Sequence, residues 1–87
     1  MSTEERELLR LAILRVMEAN RTAFGLPAPA LGLQLWRFGF QVDPAELAVE
    51  LDYLLDKGLL ALKEKFISPE NRAWRITAAG RDFIALH

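Results

Sequence analysis

Residues 42–47 read Val42-Asp43-Pro44-Ala45-Glu46-Leu47, and several signals in this stretch mark the start of a helix. Asp43 is a favoured N-cap residue, and Pro44 would occupy the first helical position, where its missing N–H costs no hydrogen bond. Glu46 would then stand in the first turn, and the hydrophobic residues at the two ends of the stretch form a staple across the cap. Gly58 is typical of a helix end. The pattern predicts a helix from Asp43 to about residue 57.

Two helical segments are predicted upstream of this stretch. The first extends from a capping box at Ser2 to about residue 19, and its residues are good helix formers. Residues 20–29 are rich in glycine and proline and are predicted to form a loop. Residues 30–38 read as a short helix that ends at Gly39. Helices two and three are therefore separated by a tight turn.

Downstream, the hydrophobic period changes to two from Leu60 onwards, which is typical of a strand. Residues 68–71 suit a type I turn, and residues 72–76 return as a second strand with Trp74 and Ile76 facing inward. Thr77 can cap a last helix, in which a glycine would let another element approach closely. We expect a mostly helical α+β fold in one domain, residues 1–87: three helices, a two-stranded hairpin and a C-terminal helix.

The composition is that of a globular domain. The chain has 87 residues, of which 52% are hydrophobic and 26% charged, with a net charge of −1 and no cysteine. Disulfides and thiolate metal sites are excluded, and the overall charge provides no general attraction to nucleic acid. The first residues are acidic, and no apolar run approaches the ~20 residues of a membrane span. We expect a cytoplasmic protein that does not insert into membranes.

The predicted order of elements resembles the winged helix-turn-helix superfamily. Leu51-Asp52-Tyr53-Leu54-Leu55-Asp56-Lys57-Gly58-Leu59-Leu60 looks like the end of that family's third helix leading into its wing, and Ile76-Thr77-Ala78-Ala79-Gly80-Arg81 looks like the step into its closing helix. The spacing between Leu31 and Gly58 is also similar to that of small winged-helix proteins of Mu-like prophages. The resemblance implies a DNA-binding transcription regulator whose third helix enters the major groove.

The charges favour the wing over the third helix as the DNA contact. Residues 43–57 contain five acidic residues and one lysine, a net charge of −4, which phosphates repel. Residues 60–87 contain five basic and three acidic residues, a net charge of +2. The sequence therefore predicts double-stranded DNA as a partner of a basic wing, whose contact residues are Lys63, Lys65, Asn71, Arg72 and Arg75. A solvated sheet face is the alternative interpretation.

A second hypothesis is a protein-interaction module that does not bind DNA. The outward face of helix three would then meet a basic protein partner, with Tyr53 and Val49 as apolar anchors among acids. Its residues are Glu46, Val49, Asp52, Tyr53 and Asp56. A homodimer is also predicted, because the first helix has a second apolar side that needs a cover. The predicted seam consists of Leu11, Leu14, Phe83 and Leu86.

The sequence shows no apparatus for catalysis and predicts no cofactor. His87 is the only histidine and the only serines are Ser2 and Ser68, so no nucleophile and base stand close together in the sequence. Carboxylates spaced four residues apart on helix three (Glu46 with Glu50, Asp52 with Asp56) could hold Mg²⁺ or Ca²⁺, but a solvated acidic face is the favoured interpretation, and no metal is predicted. Both tryptophans, Trp36 and Trp74, are expected in the core.

Overall fold

Each capping residue predicted from the sequence caps a helix in the computed structural model, which describes residues 2–21, 25–63 and 72–87. The Ser2 Oγ accepts a hydrogen bond from the backbone N–H of Glu5, and the Asp43 Oδ1 accepts one of 2.9 Å from that of Glu46. Thr77 caps the last helix by accepting from Gly80. The helices are α1 (Thr3–Ala19), α2 (Ala28–Arg37), α3 (Pro44–Asp56) and α4 (Ala78–Ala85), and the strands are β1 (Leu26–Pro27), β2 (Leu60–Leu62) and β3 (Ala73–Ile76).

The described elements confirm a mostly helical α+β fold and a hairpin of β2 and β3. The two strands pair antiparallel, with Leu60 opposite Ile76 and Leu62 opposite Trp74. The backbone N–H of Lys63 donates to the carbonyl of Ala73 at 2.9 Å, which continues the pairing beyond β2. The predicted turn at residues 68–71 lies outside the described residues. Strand alternation is confirmed at Trp74 and Ile76, which are buried.

A third strand, β1, lies within the segment that was predicted to be a loop. Leu26 pairs with Trp74 and Pro27 with Ala73, so β3 becomes the central strand of a sheet ordered β1-β3-β2. A proline is tolerated here because an edge strand does not need every N–H for pairing. Helix α2 follows β1 directly and begins two residues earlier than predicted. Sequence signals for a loop were strong, and the pairing partner that overrides them is about fifty residues away along the chain.

The hydrophobic core lies between the helices and one face of the sheet, and two predictions about it are wrong. Leu14 was predicted at a dimer seam but is completely buried, because α1 packs against α2, α4 and β3 and so buries more than one side. Trp36 was expected in the core but is 61% exposed, because α2 buries the Leu31 and Leu35 side of the helix instead. The fully buried side chains are Leu9, Ile13, Leu14, Leu31, Leu35, Leu51, Leu54 and Leu60.

The start of α4 touches the chain just before β2. A Cβ added to Gly80 would lie 2.2 Å from the backbone oxygen of Leu59, far inside van der Waals contact. The close approach that the sequence predicted is thus confirmed. Thr77 reinforces it, since its backbone N–H donates to that same Leu59 oxygen and its hydroxyl donates to the carbonyl of Gly58. Gly58 itself has a φ of +75°, which suits its place after α3.

We expect Gly80→Ala to destabilise the fold by about 3 kcal/mol, because a backbone carbonyl cannot move aside as a flexible side chain can. Gly32→Ala is the matched control. It lies inside α2, where a Cβ would meet only Leu47 at 3.8 Å, and it should stabilise the protein by about 0.5–1 kcal/mol. Urea unfolding followed by circular dichroism measures both. Equal stability of the two variants would show that α4 does not pack this closely.

Candidate functional site

The outward face of α3 is exposed, as the sequence predicted. All five residues of the face are exposed, and Val49 is the most exposed apolar side chain among them, at 56%. We call this surface the acidic face; it consists of Glu46, Val49, Asp52, Tyr53 and Asp56. A face with three carboxylates repels phosphates, so its charge remains unsuited to direct contact with a DNA backbone.

Glu50 does not belong to a solvated acidic surface, contrary to the sequence interpretation. Only 3% of the residue is exposed, and its carboxylate is held by two arginines of α1. The Nε and Nη2 of Arg6 donate to its Oε1 at 3.1 and 3.0 Å, and Arg10 donates to both oxygens. Burial of a carboxylate is tolerated when charge-assisted hydrogen bonds replace its water. This cluster joins α3 to α1 across the domain.

The ionisation of Glu50 reflects the same contacts. Burial acts to raise the pKa of Glu50, but the hydrogen bonds from Arg10 and Arg6 outweigh it, so the pKa lies below the ordinary glutamate value. The pKa of Arg10 is raised, chiefly by its hydrogen bond to Glu50. Glu50 is therefore a carboxylate at neutral pH, and its charge is neutralised within the fold. Sequence reasoning missed this pairing because its partners lie forty or more residues away.

Tyr53 is held by cations. The guanidinium carbon of Arg10 lies 3.7 Å from the centroid of the Tyr53 ring, and the Nζ of Lys57 lies 5.6 Å from it. Cations over an aromatic face are attracted by the ring quadrupole. Because Arg10 also holds Glu50, one side chain connects the buried carboxylate to the surface ring. Tyr53 is 38% exposed and presents a preorganised ring edge rather than a free side chain.

The predicted wing residues do not form one continuous surface. Arg72 and Arg75 are exposed, and Lys63 is half-buried. Arg72 lines a cleft of about 390 Å³ together with Asp52 and Trp74, whereas Arg75 lines a different cavity beside the end of α1. Residues three apart on a strand face opposite ways, which accounts for the split. The remaining two predicted contacts, Lys65 and Asn71, lie outside the described residues.

The predicted dimer seam is only partly a surface. A groove of about 850 Å³, which we call the α1/α4 groove, is lined by Leu8, Leu11, Phe83 and the ring of Tyr53. Leu8 is 59% exposed and was not predicted. Of the predicted seam residues, Leu11 and Phe83 line the groove at its surface, while the buried Leu14 contributes to its floor. Leu86 is highly exposed but is not among the residues that line it.

A second exposed apolar surface also escaped prediction. Leu33 and Trp36 lie three residues apart on α2, and Phe38 follows at its end; they are 55%, 61% and 69% exposed. Isolated apolar residues are common on surfaces, but three large ones within six positions are unusual. Of the three residues, only Trp36 was the subject of a prediction from the sequence, which placed it in the core.

The described residues contain no group of three or more histidine, aspartate or glutamate side chains placed to hold a metal ion. Over the same residues, no helix combines the length and hydropathy needed to cross a bilayer. No protein-family model matches the sequence, and no curated protein matches it significantly. The candidate sites therefore stand on their own geometry.

We expect Glu50→Gln to destabilise the protein by about 2 kcal/mol, because two arginines would lose a charged acceptor in a buried place. This loss of stability should depend on pH. Since the pKa of Glu50 is lowered by folding, its contribution is complete above the ordinary glutamate pKa of about 4.3 and disappears as the pH falls through the lower folded-state value. Urea unfolding at pH 7 and pH 3 tests this.

Asp52→Asn is the matched control, since it removes an exposed carboxylate of the same helix. Its stability should stay within about 0.5 kcal/mol of the parent at both pH values. If Glu50→Gln cost as little as this control at pH 7, the cluster would not hold α3 to α1.

Proposed function

We propose that this protein is a non-enzymatic binding module of the winged-helix type that binds double-stranded DNA mainly through its wing. Three features support the fold comparison: a short connection between α2 and α3, an antiparallel hairpin after α3, and a closing helix packed against the chain before that hairpin. The transcription-regulatory role, the prophage origin and the cytoplasmic location that accompany this comparison remain predictions.

The observation that carries the proposal is the pair of exposed arginines at β3. The residue opposite Arg75 on β2 is Ala61, so no carboxylate neutralises Arg75 across the strands. Within the described part of the chain, neither Arg72 nor Arg75 forms an ion pair. Unpaired guanidinium groups on both sides of one strand suit a narrow groove that has phosphates on both of its walls.

The acidic face of α3 supports a contact that differs from insertion of a recognition helix. Its carboxylates occupy the positions at which readout of DNA bases would need Arg, Lys, Asn or Gln. They also repel the phosphate backbone of DNA. Glu50, which is neutralised internally, does not add to this repulsion. We infer that α3 stays outside the major groove while the wing carries the contact.

The absence of catalytic activity is also part of the proposal. The Ser2 hydroxyl serves as the cap of α1, and the imidazole of His87 stacks on Phe83 with ring centroids 4.3 Å apart. The Nδ1 of His87 lies 3.0 Å from the Phe83 carbonyl. Each group is therefore engaged in a local contact, and no hydrogen bond joins the two among the described residues.

We expect duplex DNA to bind with an affinity that falls steeply with salt. Changing Lys63, Arg72 and Arg75 together to Gln should weaken binding and reduce the slope of log K against log salt by up to about 3, since each phosphate contact contributes about 0.9. Fluorescence anisotropy at several salt concentrations measures the slope. Arg15→Gln, an exposed cation on α1 away from the wing, is the control and should leave the slope unchanged.

The alternative is protein binding through the acidic face, which the exposure of Val49 beside three acids favours. Changing Asp52 and Asp56 together to Lys separates the two functions. Under the DNA proposal this change removes repulsion and strengthens DNA binding. If the parent shows no salt-dependent DNA binding at low ionic strength, the DNA proposal fails and protein binding becomes the better explanation.

We also propose that two copies associate through the α1/α4 groove. Its lining also includes the acids Glu4 and Glu7 and the cations Arg10 and Lys57, so a two-fold related copy can bring opposite charges together. The predicted partner is therefore a second copy of this chain. The proposed dimer seam therefore differs from the predicted one, because Leu8 replaces the buried Leu14 as a contact residue.

Leu8→Glu and Leu11→Glu should each convert a dimer into a monomer, because a carboxylate would be buried against an apolar surface. Light scattering at several protein concentrations measures the change in mass. Leu33→Glu, at an equally exposed position on α2, should leave the mass unchanged. A parent protein that stays monomeric at high concentration would contradict the dimer.

A further inference from the structure

A cavity of about 230 Å³ lies where the end of α1 meets β3 and the start of α4. Three arginines from different parts of the chain line it. Arg21 follows α1, Arg75 belongs to β3, and Arg81 lies in the first turn of α4. Arg81 is half-buried and the other two are exposed, so the cavity opens to solvent. The lining residues include no aspartate or glutamate.

The positive charge of this cavity is largely uncompensated. Arg21 forms one ion pair, with Glu18 at 3.3 Å, and both side chains of that pair are accessible to solvent. Solvent-exposed ion pairs of this kind contribute little to stability, so Arg21 can give up its contact with Glu18 for another anion. In the described part of the chain, Arg75 and Arg81 have no carboxylate partner. Three arginines therefore line one small volume, and among the described residues Glu18 is the one acid that forms an ion pair with any of them.

The remaining lining suits an anion as well. Ala78, the first residue of α4, borders the cavity, so the positive end of that helix lies beside the arginines. The Asn20 amide is already used, because it bonds the carbonyl of Val16 and the side chain of Gln34. That network fixes the wall next to Arg21. Trp74 lines both this cavity and the cleft beside Arg72, and its indole N–H is buried and has no partner among the described residues.

We propose that this cavity binds a single phosphate group, held by Arg21, Arg75 and Arg81. A guanidinium fork binds two oxygens of an oxyanion, and three forks exceed what the two oxygens of one carboxylate can accept. A tetrahedral phosphate offers acceptors in several directions. The volume equals that of several water molecules at about 30 Å³ each, which leaves room for a substituent on the phosphate.

This inference does not depend on DNA binding by the wing, because Arg21 and Arg81 belong to neither predicted surface. The phosphate has two possible sources, a free phosphorylated compound or the backbone of a duplex that also contacts the wing. Both would present tetrahedral phosphate to the same three arginines, a free monoester with three terminal oxygens and a backbone diester with two. Arg75 is the residue that the cavity shares with the wing.

The test uses Trp36→Phe protein, in which Trp74 is the only remaining tryptophan. Trp36 is highly exposed, so its replacement should not disturb the fold. Inorganic phosphate should change Trp74 fluorescence in a saturable way, and chloride at equal ionic strength should not. Amide chemical shifts of Arg75 and Ala78 provide an independent readout by NMR. No saturable change in either measurement would overturn the proposal.

Arg21→Gln and Arg81→Gln should each weaken phosphate binding about tenfold, the loss of one charge-assisted hydrogen bond. Arg21 is exposed, so its variant keeps the test valid if Arg81→Gln is unstable. Arg72→Gln is the control, because Arg72 lines a different cleft and should leave phosphate binding unchanged. Equal weakening by Arg72→Gln would indicate nonspecific charge attraction and overturn the site.

Duplex DNA distinguishes the two sources. If Arg81→Gln weakens phosphate and duplex binding alike, the phosphate belongs to the DNA backbone; if it weakens phosphate binding alone, the ligand is a free phosphorylated compound. If a variant with Lys63→Gln and Arg72→Gln, which keeps Arg75, loses DNA binding but retains phosphate binding, both proposals stand separately. If the protein binds phosphate saturably but does not bind duplex DNA, the DNA proposal is refuted and the phosphate site in the cavity is supported.

Discussion

The ion pairs of the buried Glu50 carboxylate with Arg6 and Arg10 link α3 to α1 and so constrain which side of α3 faces solvent. A carboxylate with 3% exposure needs hydrogen-bond donors for its oxygens, and among the described residues these donors come from α1. Such an arrangement contributes less to net stability than to specificity, because removal of water from charges offsets much of their attraction. With Glu50 turned inward, the remaining acids of α3 face outward as a group. Arg10 extends the same constraint to the ring of Tyr53.

The fold therefore places acidic and basic residues on different parts of the surface, although the net charge of the chain is small. The acidic face occupies one side of α3, while three arginines lie just after α1, in β3 and in the first turn of α4. A net charge of −1 gives no general attraction to polyanions, but unpaired arginines act locally, within about 8 Å at physiological salt. The attraction of a phosphate group to this surface therefore depends on where on the surface the phosphate lies. The arginine-lined cavity has no aspartate or glutamate among its lining residues, whereas Arg72 shares a cleft with Asp52 of the acidic face.

Most of the architecture was predictable because local rules and tertiary packing agree. The N-caps at Ser2, Asp43 and Thr77, the glycine after α3 and the period-two pattern from Leu60 each predicted an element that the structure contains. The close contact at Gly80 was predictable for the same reason, since a glycine early in an apolar helix indicates a near neighbour. Of the candidate binding residues, the exposed side of α3 was predicted correctly, and the wing set was predicted as one surface although Arg72 and Arg75 line different cavities.

The features that could not be predicted all depend on residues far apart in the sequence. Strand β1 exists because β3 has a free edge for it, and nothing within residues 20–29 indicates that edge. Leu14 is buried and Trp36 exposed because the number of neighbours around a helix sets the width of its buried face, which the hydrophobic period alone leaves open. Local sequence thus determined where helices and strands begin and end, because caps and turns act over three or four residues. The partners of Glu50, the groove beside α1 and the meeting of three arginines were determined only by packing, which joins side chains that chain order keeps apart.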